Sequence, residues 1–194
     1  MRPALILTLA SALFKSYLRG SRGARVSFFS KPKIILIIDI ILFTLPAIVM
    51  FYVVDAIPPE YVSVAVILTV QALISLPVLM TLATIISGLM FELGQGSAVS
   101  SSEAVNWLPV TPREYVAASA LSTSSLYSFF LALAAGLTLP LAAKLGLLYM
   151  WPVTILLSAL SLLLGAFIVE FLRAIMNRVS STVYRKRGRL AMAI

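Results

Sequence analysis

Four long apolar runs, separated by short polar interruptions, set the pattern of this chain. The first, Ile34 to Val54 (IILIIDIILFTLPAIVMFYVV), has the ~20 residues a helix needs to cross a bilayer core of about 30 Å. The second, from about Tyr61 to Phe91, is longer than a bilayer requires, so tilt, a kink at Pro77 or extension into the cytoplasm is expected. The third runs from about Pro112 to Leu139 and the fourth from about Leu147 to Ile175, with Pro152 in its first turns. Ahead of them, Leu5, Leu9, Ala12 and Leu13 recur at helical spacing, with Lys15 and Arg19 placed for headgroups. An N-terminal helix lying at the interface is expected. The fold class predicted is all-α: a polytopic helical membrane protein with four transmembrane helices. A basic segment 1–33 precedes the transmembrane domain 34–175, a loop 92–111 interrupts it, and a basic tail 176–194 follows. No convincing internal repeat is read in the sequence.

The loop leading into the third span, SSSEAVNWLPVTPREYVAAS, carries local instructions of its own. Ser100 and Glu103 have capping-box spacing, in which a hydroxyl takes the N3 amide and a carboxylate returns to the N-cap amide. A short helix should follow, with Ala104, Val105, Trp107 and Leu108 on an apolar face, ended by Pro109. Thr111 and Glu114 repeat the spacing, and Pro112 falls at the first helical position, where a missing N–H costs nothing. Val110 and Tyr115 occupy the hydrophobic-staple positions. The third span therefore has a sharply fixed start. Two turns of helix are marginal alone in water, so the Trp107 face needs either lipid headgroups or a protein partner.

Composition agrees with a membrane protein. The chain of 194 residues is 61% hydrophobic and 11% charged, against roughly half and a quarter in soluble domains. The mean hydropathy is +1.05. The net charge of +8 is confined to the ends: between Lys33 and Arg173 the only cations are Arg113 and Lys144. Basic clusters that flank apolar spans point to lipid headgroups and topology, not nucleic acid. With four spans both basic termini share one side, which the positive-inside rule makes cytoplasmic. Asp55 to Glu60 and the link around Lys144 are then external, and Tyr52, Tyr61, Tyr149 and Trp151 form an outer aromatic belt. The first 16 residues, MRPALILTLASALFKS, have the outline of a signal peptide, but the basic stretch after them opposes translocation.

Chemistry has few places to reside. There are no cysteines and no histidines, which excludes disulfides, thiolate or imidazole metal sites and Ser-His-Asp triads. The carboxylates are scattered, without the paired spacing of a metal-bridged phosphate site, and no cofactor is expected. The chain is read as a non-enzyme. Asp39, about five residues into the first span, is either a contact inside the bundle or an interfacial carboxylate near Lys31 and Lys33. Gln71 is expected to face another helix. Glu170 and Arg173, three apart, form a structural pair.

The order of these features resembles the permease subunits of ABC-2-type ABC transporters. The resemblance runs from about Lys15 to Arg189: a basic amphipathic start, two spans, then a loop with Glu92, the Glu103 to Leu108 helix, and Leu108-Pro109-Val110-Thr111-Pro112-Arg113-Glu114. It implies a permease in the plasma membrane, driving substrate export with energy from a separate ABC ATPase subunit. No phosphate-binding G-x-x-x-x-G-K-[ST] occurs in the chain itself. It also implies a second permease copy or a related chain, as a homo- or heterodimer. The loop helix would be the coupling helix, with Glu92, Glu103, Val105, Trp107, Leu108, Arg113 and Glu114 as partner contacts. Members of that family usually have six spans and four are read here, which would make this a truncated or half-size member. The alternative reading is a non-enzymatic membrane scaffold or assembly factor.

Overall fold

The computed structural model describes residues 2–19, 32–95 and 110–191, with side chains described for 2–15, 33–90 and 110–176. Six helices account for nearly all of them: α1 (Pro3–Arg19), α2 (Pro32–Asp55), α3 (Val62–Gln95), α4 (Pro112–Leu126), α5 (Ser128–Lys144) and α6 (Met150–Ala191). A 3-10 turn, Pro59–Tyr61, leads into α3. No strand occurs among the described residues.

Three stretches are long and apolar enough to cross a membrane: Lys33–Asp55, Pro59–Met90 and Met150–Met176. The expected third span is two helices, α4 and α5, which meet at a bend of 46°. With that pair taken as one broken span, up to four stretches are long and apolar enough to cross a membrane. The cause of the bend is local. Ser124 and Ser125 donate to the carbonyls of Ala120 and Leu121 at 2.8 and 2.9 Å. Such back-bonding bends helices. Tyr127, at φ −100° and ψ 12°, leaves helical geometry, and α5 starts at Ser128. Tyr127 is also buried in the core, with Leu76, Met80, Ala134 and Leu162 around it.

The helices pair by their order in the chain. α1 packs on α4, α2 on α5, and α3 on α6. All three pairs run parallel. Asp39 meets Ser128 and Asp55 meets Lys144, both 89 residues apart, so α2 and α5 keep one register and one direction. Thr81 donates to the Ser161 carbonyl, while Gly165 abuts Thr84 and Gly88 abuts Val169, which fixes the same sense for α3 and α6. The two halves thus present equivalent helices to each other, an order the sequence did not reveal. α2 and α5 even share a Thr-Leu-Pro: Thr44 donates to the Ile40 carbonyl and Thr138 to the Ala134 carbonyl, each four residues back. α2 and α5 approach closely because Gly136 has no side chain; a Cβ there would lie 2.2 Å from the Phe43 carbonyl oxygen.

One end of the bundle is tied by charge. Lys144 is bonded to Asp55 and lies over the Phe51 ring at 4.3 Å. The connections after α2 and after α5 therefore share that end. α6 extends well beyond the fourth span predicted from the sequence. Its 42 residues make a helix of about 63 Å, roughly twice a bilayer core.

α1 forms as expected, but its packed stripe differs in detail. Leu5, Ile6, Leu9, Leu13 and Phe14 are half-buried and Ala10 is buried, whereas Ala12 is exposed. The stripe lies one position off because it must meet α4.

Candidate functional site

The start of α4 is a joint built around Glu114. Thr111 is the N-cap and Pro112 the first helical residue, and both halves of the predicted capping box form. The Thr111 hydroxyl accepts the Glu114 N–H at 3.3 Å, and Glu114 Oε2 accepts the Thr111 N–H at 3.1 Å. The sequence offered no sign of the third member. Arg2 donates its backbone N–H to Glu114 Oε1 at 3.1 Å and its guanidinium to both carboxylate oxygens at 3.3 and 3.4 Å. Glu114 is 3% exposed. One carboxylate thus holds the first turns of α1 and α4 together, where the chain enters from 92–111.

Deeper in the bundle, α4 is fastened to α6. Ser119 donates to Glu170 Oε1 at 2.5 Å, and Arg173 donates to the same oxygen at 2.6 Å. The Glu170–Arg173 pair is as expected from spacing; Ser119 required the fold. Glu170 and Ser119 are both buried, so the charge is compensated on the spot.

The third polar group sits at the break. Asp39 Oδ2 accepts a 2.7 Å hydrogen bond from Ser128, the first residue of α5. Asp39 is half-buried and makes a contact between helices. It lines a groove of about 450 Å³ between α1, α2 and the α4–α5 bend, with Ser11, Ser122, Ser125 and Ser128 supplying hydroxyls. Asp39 Oδ1 and Ser122 Oγ are shielded from solvent and have no hydrogen-bond partner among the described residues.

The remaining predicted residues fall as follows. Arg113 is exposed beside the buried Glu114. Glu114, expected among the partner contacts, is engaged within the chain. Gln71 does not face another helix: it is exposed on α3, in an apolar hollow with Ile67, Ile74 and Val78. Glu92 lies near the end of α3, and its side chain is outside those described; Glu103, Val105, Trp107 and Leu108 lie outside the described residues. No group of His, Cys, Asp and Glu suited to a metal occurs among the described residues.

Fold and site together define a chain that is helical throughout its described residues, with three to four apolar stretches long enough to cross a membrane and three polar contacts between helices. No protein-family model, curated protein or solved structure matches the chain.

Proposed function

We propose that the chain is the membrane-spanning permease subunit of an ATP-driven, ABC-type exporter. A separate ATPase subunit supplies the energy and engages the loop 92–111. The chain acts as two copies or with a related chain, sits in the plasma membrane with both termini cytoplasmic, and performs no chemistry itself.

The observation that carries this reading is the Glu114 joint. A push on the 92–111 loop arrives at Thr111, where capping, proline and the Arg2 bonds leave no slack. The push then moves α1 and α4 as one body, and the bend at Tyr127 separates that body from α5. Rigid elements that meet at a break in a helix are parts from which two-state motions are made. Half-helices broken at polar groups are also a recurring feature of transporters.

The test is affinity purification of the full chain from native membranes. A co-purifying P-loop ATPase is expected, and Trp107→Ala or Leu108→Glu should remove it. Retention of the ATPase and of ATP-dependent transport by both variants would refute the docking assignment.

Exposed Gln71 favours a second reading. An amide facing lipid is costly, so that face of α3 is suited to a protein neighbour. A scaffold would bind such a neighbour without stimulating any ATPase, and that separates the two readings.

A further inference from the structure

From Val64 to Met90 every exposed residue of α3 is apolar except Gln71. Its amide makes no hydrogen bond among the described residues. The other side of α3, with Thr69, Leu73, Leu76, Met80 and Thr84, is buried where the helix packs on α6 and α5. Gln71 therefore points away from its own bundle.

Its place along α3 keeps it from water. The apolar stretch of α2, Lys33–Asp55, has 23 residues, about 34 Å of helix against a hydrocarbon core of about 30 Å. With so little excess, its two ends mark the edges of that core. Residues 56–58 form a short link, so Pro59, where the apolar stretch of α3 begins, starts from the Asp55 edge. Asp55, Glu60 and Lys144 gather charge at the same edge. Gln71 follows Pro59 by about 18 Å of helix, near the middle of a core of that thickness. An amide at such a place needs a hydrogen-bonding neighbour, because neither water nor lipid tails can supply one.

The chemistry of the group selects the neighbour. A carboxamide carries two N–H donors and an accepting oxygen, so it is complementary to itself. A second copy inserted in the same direction brings its own Gln71 to the same level by necessity, whereas an unrelated protein would have to match that level by coincidence. A two-fold axis along the membrane normal sets amide against amide, each Nε2 donating to the opposite Oε1, and the assembly closes at two copies. The rest of the face suits this pairing. Val64, Leu68, Gln71, Ser75, Val78 and Leu82 alternate at three- and four-residue steps, the seam of two helices crossing at about 20°. Ala72 and Ser75 are small, and the Ser75 hydroxyl donates to the Ala72 carbonyl at 3.1 Å, so the two backbones can approach beside the amides. One polar position in an apolar seam also fixes the register of the pair.

We propose that α3 is the interface between two copies of this chain, joined by reciprocal hydrogen bonds between their Gln71 amides. The inference rests on the proposed function for its two-copy assembly alone, and gives that assembly its surface.

The experiment uses the full chain in phosphatidylcholine vesicles. The chain has no cysteine, so single introduced cysteines report on the pairing. Copies carrying Leu148→Cys, labelled with a donor or an acceptor dye, are mixed, and energy transfer is followed as added lipid dilutes the protein. Saturable transfer with two chains per assembly is expected, and Gln71→Leu should weaken the association about tenfold. Leucine there disturbs no contact within the chain, since the Gln71 amide has none among the described residues. With Gln71 intact, Ser75→Cys should cross-link to itself under mild oxidation, and Phe171→Cys, on the exposed face of α6, should not. This second arm decides the matter should Gln71→Leu insert poorly. The proposal is overturned by a chain that stays monomeric at every dilution, by Gln71→Leu associating within twofold of the natural chain, or by cross-linking through Phe171→Cys and not through Ser75→Cys. ATP and the ATPase are absent throughout, so failure of the pairing leaves ATPase capture to be judged by itself, and failure of that capture leaves the pairing standing.

Discussion

Arg2 and Glu114, 112 residues apart, are joined through backbone and guanidinium at once, so the first turns of α1 and α4 meet in a single carboxylate. This carboxylate also completes the N-cap of α4. Glu114→Gln should therefore loosen α1 and the first turn of α4 together. Hydrogen exchange is the measurement, with faster exchange expected over residues 3–15 and 112–118. Arg2→Ala should loosen α1 alone, because the Thr111 bonds survive. Thr111→Ala should cost about 1 kcal/mol, the usual value of an N-cap. Unchanged exchange in α1 of Glu114→Gln would show that the joint does not hold it.

Glu170 is expected to tolerate change only in company. Glu170→Leu leaves the mostly buried Arg173 guanidinium without its carboxylate, and removal of one partner from a buried pair costs about 3–5 kcal/mol. The double change Glu170→Leu with Arg173→Met removes both charges and should recover most of that loss. Ser119→Ala alone should cost about 2 kcal/mol, as for a hydrogen bond to a charged group. Thermal unfolding in detergent gives the ranking, and a double variant no more stable than Glu170→Leu would contradict it.

Gly136→Ala is predicted to separate α2 from α5, since the new methyl would meet the backbone of Phe43 and not a yielding side chain. Forced overpacking typically costs about 1–3 kcal/mol. A cysteine pair introduced at the facing ends, Asp55→Cys with Lys144→Cys, should cross-link readily in the natural background and more slowly with Gly136→Ala. Equal rates would mean that the close approach is not needed.

Topology follows from charge. The ends carrying Arg2 and Arg173 are expected in the cytoplasm, and Asp55 and Lys144 outside. Cysteines placed at Glu60 and Leu148 should react with an impermeant maleimide from outside intact cells, and one at Arg113 should react only after permeabilisation. Charge exchange, Asp55→Lys with Lys144→Asp, should change stability by less than about 1 kcal/mol, because both groups are exposed.

Much of the fold is legible in the sequence where the cause is local. Length and continuous apolarity suffice for α2, α3 and α6. The Thr111-Pro112-Arg113-Glu114 run encodes its own cap, and three-residue spacing pairs Glu170 with Arg173. The break at Tyr127 is not legible, because serines at 122, 124 and 125 read equally well as close-packing residues and as competitors for backbone carbonyls. Long-range partners leave no periodic trace: Ser119 for Glu170, Ser128 for Asp39 and Arg2 for Glu114 appear only when parallel helices come together. Gln71 departs from its expected place inside the bundle because polarity in a span does not by itself require an internal neighbour. The helix from Glu103 to Leu108 lies outside the described residues, so the proposed docking face rests on sequence.

In the proposed mechanism a push on the 92–111 loop is carried through Glu114. That step is tested most directly by the ATP hydrolysis rate of the purified complex in lipid, compared with its ATPase subunit alone. The natural chain should change that rate, Leu108→Glu should abolish complex and effect together, and Glu114→Gln should preserve the complex but lose the effect. A hydrolysis rate that is the same for the complex of the natural chain, for the complex of Glu114→Gln and for the ATPase subunit alone would contradict it.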